Sequence, residues 1–349
     1  MHFLKLIQRI FIILIISTLT NISVLAQDVF FSQPYTVPLL LNPAYTGMQG
    51  ATRAGGIYRN QWASVADPYV SYGVFADYYF EDYKSGIGIT ALSDRQAGGL
   101  LVKNQVGFSY AYHLQLAEKM AVNFGLQPQL TFTSISDAEL VFPDMINNNG
   151  HVTDGGYSSA SNVHFDMALG GVFSYDFLYA GLSLQHLLAP AEYAVGEVDV
   201  AIPRRYALHA GANFYLDIQN KFSRNVSAYR NVATASLLLS PNVLFTAQGG
   251  SSLLQAGCFV GLQGFSLGFF YKHGLGATAN FYMACAAYSS ELFSISYSFD
   301  FGAISQDVKT FSANTHELSL SFRIRRTKPR RGYNFSYQTL EEPRNAPDV

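Results

Sequence analysis

The sequence predicts an all-β protein, a transmembrane outer-membrane β-barrel of about 14 antiparallel strands, on three observations. Apolar and polar residues alternate with period two in one segment after another. The alternating segments run about 9–14 residues, longer than the 5–6 usual in globular sheets and suited to a tilted bilayer crossing. Only 13% of the 349 residues are charged, against roughly 25% in a soluble domain, while 15% are aromatic. Few charges with 27 Phe and 23 Tyr exclude a disordered chain. A net charge of −2 excludes the clustered basic face of a nucleic-acid binder. The apolar residues are interleaved rather than gathered in long runs, which excludes a polytopic helical membrane protein.

From the N-terminus, residues 1–26 read as a cleavable signal peptide. Lys5 and Arg9 form its positive region, Ile10 to Ile16 its apolar core, and Val24-Leu25-Ala26 a small-residue cleavage site. The apolar stretch is too short to span a bilayer, so the expectation is export and release rather than anchoring. Residues 27–50 follow as a Pro-containing, apolar segment, expected as a periplasmic cap or as a plug in the lumen. The barrel is expected over 51–326 and a periplasmic tail over 327–349.

Strands are expected near 52–62, 69–80, 86–94, 103–116, 120–133, 163–175, 178–188, 205–218, 235–249, 253–263, 265–273, 279–289, 291–300 and 316–325. In 103–116, Val106, Phe108, Tyr110, Tyr112, Leu114 and Leu116 oppose Lys103, Gln105, Gly107, Ser109, Ala111 and His113. In 205–218, Tyr206, Leu208, Ala210, Ala212, Phe214 and Leu216 form one face. The last segment sets Leu318, Leu320, Phe322 and Ile324 against Glu317, Ser319, Ser321 and Arg323. A soluble sandwich also alternates, but it must bury its apolar faces between two sheets, whereas a barrel in lipid needs one outward band. Tyr and Phe near strand ends suit aromatic girdles, and the even strand number suits closure. Tight turns follow strands four, six, ten and twelve, and long connections (134–162, 189–204, 301–315) follow odd strands. Short periplasmic turns with long outer loops have this parity, and only the stretch 219–234 departs from it. Fourteen strands enclose more room than side chains fill, so the lumen is expected to be either water-filled or blocked by 27–50. Its inward positions read as mostly Gly, Ser, Ala, Asn, Gln and Thr with few charges.

No residue pattern carries enzymatic chemistry. His113, His151, His164, His186, His209, His273 and His316 stand singly, without metal-ligand spacing. Gly264-Phe265-Ser266-Leu267-Gly268 matches G-x-S-x-G, but a turn into another alternating strand is not the strand–turn–helix such an elbow needs. The expectation is a non-enzyme with no cofactor, no metal and no nucleic-acid partner. Cys258 and Cys285 lie within alternating segments, where Cys acts as a small hydrophobe; a bridge between them is left open. Asp137, Glu139, Asp144 and Asp154 read as acids of a solvated outer loop. Arg323, Arg325, Arg326, Lys328, Arg330 and Arg331 form a basic run after the last strand, expected on the periplasmic side. Such a run suits a solvated tail, lipid phosphates or an acidic periplasmic partner.

Three blocks near the N-terminus carry a family resemblance: Phe31-Ser32-Gln33, then Leu41-Asn42-Pro43-Ala44-Tyr45-Thr46-Gly47, then Tyr58-Arg59-Asn60-Gln61-Trp62. With Tyr179-Ala180-Gly181-Leu182-Ser183, Ser240-Pro241-Asn242-Val243-Leu244-Phe245 and His316-Glu317-Leu318-Ser319-Leu320, they resemble the PorP/SprF family over essentially the whole mature chain. The resemblance implies an outer-membrane barrel of the type IX secretion system of Bacteroidota, in some members tied to gliding motility. It implies a role in protein secretion or in anchoring a secreted surface adhesin. The implied partners are type IX secretion subunits, an adhesin, a peptidoglycan-binding periplasmic lipoprotein and outer-membrane lipid. The alternative is a plugged channel or transporter for small or apolar solutes.

Among the motif residues, Pro43 and Gly47 are expected to shape a turn. Asn42 and Asn60 are expected to satisfy backbone groups of a non-strand segment. Arg59 alternates to the side of Gln61 and is expected to anchor the 27–50 segment from inside the wall. Trp62, the single Trp, is expected at the outer end of the first strand.

Overall fold

The computed structural model describes residues 28–135, 160–195, 198–217, 236–275, 280–290, 292–302 and 314–324. The segment 1–26 expected as a signal peptide, the loop acids Asp137, Glu139, Asp144 and Asp154, and the basic residues Arg325, Arg326, Lys328, Arg330 and Arg331 lie outside the described residues.

Alternation becomes a closed antiparallel ring. The first half comprises β1 (Thr52–Gln61), β2 (Tyr69–Phe80), β3 (Ser85–Gln96), β4 (Leu101–Ala117), β5 (Met120–Ile135), β6 (Ala160–Tyr175) and β7 (Leu178–Gln185). A small separate hairpin follows, β8 (Ala191–Val195) with β9 (Val198–Ala201). The ring continues with β10 (Arg205–Ala212), β11 (Phe214–Asp217), β12 (Ser236–Gln248), β13 (Ser251–Leu262), β14 (Phe265–Leu275), β15 (Asn280–Ser289), β16 (Phe293–Gly302) and β17 (Thr315–Ile324). β10 pairs with both β7 and β12, and β1 with both β2 and β17, so the strands close into a ring. β10 and β11 share one register on β12 and form a single interrupted strand, which makes the ring fourteen-stranded.

Two prolines explain two of the irregularities of the wall. The break between β10 and β11 falls opposite Pro241 and Ser240, and the β4–β5 ladder skips Phe108 and Ser109 opposite Pro128 and Gln127. A proline has no N–H to donate, so each ladder opens where one sits. The β8–β9 hairpin is a correction to the sequence reading, which treated 189–204 as plain connection. Its strands of five and four residues are too short to show a period.

Burial follows the alternation. In β14 exposed and buried residues alternate from Phe265 to Tyr271, and in β17 Leu318, Leu320, Phe322 and Ile324 face out while Glu317, Ser319, Ser321 and Arg323 face in. Because the apolar residues face outward, the core is not built by the sheet alone. Each of its three apolar clusters joins wall residues to the segment before β1. Leu41, Ala44, Tyr45 and Met48 pack on Val172, Tyr179, Ala207 and Leu244. Phe31, Val37 and Leu39 pack on Ile57 and Phe75, and Tyr35 packs on Phe259, Phe270 and Met283. No described helix is long and apolar enough to cross a membrane; the strands do so.

Candidate functional site: the occupied lumen

Residues 28–50 run through the ring from one end to the other. Three prolines bend the segment, giving 3-10 turns at Pro34–Thr36 and Pro43–Tyr45 and one α-helical turn at Pro38–Leu41. The chain enters β1 at the end that carries the short turns after β4, β6, β13 and β15, the periplasmic end by the architecture of such barrels. Residue 28 lies at the opposite end, beside the start of β10 and the end of β12. The N-terminal residues of the segment are therefore found toward the outer mouth, not beneath the barrel.

At that outer end the segment is tied by charge. Asp28 Oδ2 lies 2.6 Å from His186 Nε2, and His186 Nδ1 lies 2.6 Å from Asp166 Oδ2. Gln248 Nε2 donates to the same Asp28 oxygen at 2.8 Å, and Arg205 Nη1 donates to the Val29 carbonyl at 3.2 Å. Burial opposes the His186 imidazolium, but the carboxylates of Asp28 and Asp166 outweigh it and raise its pKa from 6.5 to about 9. Burial likewise opposes the Asp28 carboxylate, and His186, Arg205 and Lys103 outweigh it, holding its pKa well below the usual range. A raised histidine pKa stabilises the fold fully below the unfolded value of 6.5, and that stabilisation disappears as pH rises through about 9. Thermal unfolding in detergent is therefore expected to shift to lower temperature between pH 7 and pH 10. His186→Gln should start lower at pH 7 and lose less over the same interval.

One turn further in, the segment meets the seam between the first and last strands. The backbone N–H groups of Ser32 and Gln33 donate to the two oxygens of Glu317 at 2.6 and 2.9 Å. Glu317 is fully buried and also pairs with Arg59, whose Nη1 donates to Ser32 Oγ at 2.9 Å and whose Nη2 donates to Gln61 Oε1 at 3.0 Å. Ser32 Oγ donates to Asp300 Oδ2 at 2.5 Å, and Lys272 Nζ reaches that oxygen at 2.7 Å and Ser32 Oγ at 2.6 Å. Gln255 donates to the Ser32 carbonyl and Ser296 to Gln33 Oε1.

The next block is held through its backbone. Asn42 Oδ1 accepts from the Ala44 N–H, and its Nδ2 donates to the carbonyls of Leu182 at 2.9 Å and Gly171 at 3.2 Å. Ser183 Oγ donates to the Leu41 carbonyl and Gln185 Nε2 to that of Leu40. Tyr45 Oη meets His209 Nδ1 at 3.0 Å, and Thr46 Oγ1 donates to Ser109 Oγ. The Gly47 N–H donates to Asp77, which Arg53 grips with Nε and Nη2 while Nη2 also reaches the Tyr45 carbonyl. The wall makes room with glycine. A methyl group at Gly125 would overlap the Pro43–Ala44 peptide, and one at Gly170 would overlap the Asn42 amide.

The motif residues take the following places. Asn42 satisfies backbone groups, Pro43 begins a tight turn, and Arg59 reaches Ser32 from inside the wall. Phe31 and Ala44 are buried in the apolar clusters described above. Asn60 differs: it alternates away from Arg59 and Gln61, and its Oδ1 has no hydrogen-bond partner among the described residues. Trp62 sits in the turn after β1 with φ +60°, its ring 5.0 Å from that of Tyr69. Arg323 belongs to β17 and is buried, so the basic run begins inside the wall rather than after it. Cys258 and Cys285 are both free thiols.

The expectation of a lumen with few charges is corrected. Among the described residues it holds the pairs Arg53–Asp77, Arg59–Glu317, Lys103–Glu192 and Lys272–Asp300, besides His186 between Asp28 and Asp166. The isolated charge on an otherwise small-residue face was the available signal: Glu317 among Ser319 and Ser321, Asp300 after Ser296 and Ser298. Beside the segment, toward β3–β5, a small recess of about 60 Å³ remains, lined on one side by Phe30, Leu40 and Leu92 and on the other by Gln105, Gln127 and Gln129. No described group of three or more His, Cys, Asp or Glu side chains is placed to hold a metal ion.

Among solved structures the chain is similar to Omp33 of Acinetobacter baumannii, with 8% identity over 80% of this chain and 100% of that one, at a TM-score of 0.41. It is similar to a FadL homologue of Pseudomonas aeruginosa, with 11% identity over 80% and 92% of the two chains and a TM-score of 0.38. A KdgM porin covers 77% of this chain and 98% of its own length at 7% identity and a TM-score of 0.33. No curated protein sequence matches. Residues 23–322 match the family profile described as type IX secretion system membrane protein PorP/SprF. The chain therefore belongs to the PorP/SprF family of type IX secretion system membrane proteins, and its closed ring of strands places it in the outer membrane.

Proposed function

We propose that the protein is a non-conducting outer-membrane scaffold of the type IX machinery. It acts in protein secretion or in holding a secreted surface adhesin, while its periplasmic face links to peptidoglycan-associated partners. The observation that carries this reading is the lumen, occupied along its length by residues 28–50 and tied there by buried charge. A lumen held in this way is a poor diffusion path, so the working surfaces are the outer connections and the periplasmic turns. Affinity purification of the tagged protein from outer membranes in mild detergent, with mass spectrometry of co-purifying chains, tests it. Secretion subunits, an adhesin or a peptidoglycan-binding lipoprotein are expected; reproducible recovery of the barrel alone would overturn the reading. The recess beside the segment favours one alternative, a plugged channel for small or apolar solutes. That alternative requires step conductance or solute uptake by the unmodified protein, and unchanged export of other proteins on its deletion.

A further inference from the structure

Every neighbouring pair in the ring is consecutive along the chain, counting β10 and β11 as one strand and setting aside the β8–β9 hairpin, except β1 with β17. That seam closes the barrel, and its partners are the most distant in sequence. Its register places Arg59 directly opposite Glu317. A slip of one residue would turn the inward side chains outward. A slip of two would keep the faces but set Arg59 opposite Ser319 or Thr315, separating it from Glu317 and leaving a buried carboxylate without its cation. The outward faces do not forbid the second slip, since Leu318, Leu320 and Phe322 are interchangeable against lipid.

The segment before β1 discriminates between these registers. Ser32 and Gln33 present adjacent N–H groups to both Glu317 oxygens, and Ser32 Oγ bonds Arg59 and Asp300 at once. Gln33 Oε1 accepts from Ser296, which also bonds Ser319. Two residues thus contact β1, β16 and β17 together, and only the native register lines up all three. The segment is tethered to β1 by fewer than twenty residues, so it is delivered beside the first strand before the last one arrives. Loop-closure cost grows slowly with length, which leaves local contacts at the seam to decide where β17 docks. We infer that Ser32 and Gln33 form the closing element of the barrel, an internal docking site for Glu317 that selects the register of the β1–β17 seam.

The test uses the mature chain refolded into detergent, with Cys258 and Cys285 replaced by Ala. Tyr58→Cys with Leu318→Cys reports the seam, where the two residues are direct register partners facing outward. Phe269→Cys with Ala284→Cys reports an ordinary hairpin between β14 and β15. Cross-linking yields with copper–phenanthroline are compared with and without deletion of residues 28–33, which leaves all strands and both Arg59 and Glu317 in place. The expected result is a seam yield reduced at least fivefold with the hairpin yield within twofold of the undeleted protein. An unchanged seam yield would overturn the inference, and so would a parallel fall of both yields, which would make the segment a general requirement for folding.

Discussion

Arg59→Ala is expected to lower the stability of the assembled barrel by about 3–5 kcal/mol, the usual cost of removing one partner from a buried ion pair. Glu317 is completely buried, and without Arg59 its carboxylate keeps only the two backbone N–H groups of Ser32 and Gln33 as close hydrogen-bond donors. The same substitution removes a donor to Ser32 Oγ, so the loss spreads to the segment as well as the seam. Arg59→Lys keeps the charge but not the fork that reaches Glu317, Ser32 and Gln61 together, and an intermediate loss is expected. The measurement is the midpoint of urea unfolding in detergent, followed by heat-modifiable migration on gels. Normal assembly of Arg59→Ala together with lost capture of a co-purifying partner would move Arg59 from structure to recognition.

Gly170→Val is the second large effect expected, and it acts on the lumen rather than the wall. The added side chain points at the Asn42 amide, which is itself bonded to β6 and β7 and cannot yield without giving up two backbone acceptors. The strands on either side keep their ladders, since valine suits a strand better than glycine does. The ring should therefore form while the Asn42–Pro43–Ala44 turn is displaced. Planar-bilayer recordings are expected to show step conductance in the variant and none in the parent. A silent variant whose residues 28–50 resist protease as the parent's do would show that the segment tolerates the intrusion.

The wall was legible in the sequence because one physical signal governs it. Lipid on one face and a lumen on the other impose period two on every strand, and each of the fourteen segments read from that period coincides with part of the ring. Where backbone chemistry overrides side-chain pattern, the reading fell short. Pro241 opens the ladder within 205–218 although the apolar alternation runs through it unbroken. The lumen was legible only in part. Arg59 was recognisable as inward because it alternates with Gln61, and Asn42 because amides beside prolines serve turns. Their partners were not: Glu317, Asp77, Asp166 and His186 lie far from the segment in sequence, and no period links them to it. The path of the segment was also hidden, since a run of Pro and Leu suits a cap and a plug equally. At the outer end Asp28 meets the charges of His186, Arg205 and Lys103, three residues from three distant stretches of the sequence.

The strands are unequal in length, and this gives the molecule a front and a back. Among the described residues β4, β5 and β6 run 17, 16 and 16 residues, whereas β15, β16, β17 and β1 run 10 each. At about 3.3 Å per residue and a tilt near 40°, the short flank stands about 25 Å tall, matching the apolar band of an outer membrane. The long flank stands about 40 Å tall by the same reckoning and rises clear of the lipid. A neighbour in the plane of the membrane meets bare lipid-facing wall on one flank and hydrated wall on the other. Any array built around this barrel is therefore polar within the membrane plane, and rotating the barrel about its own axis changes what it offers to the proteins beside it.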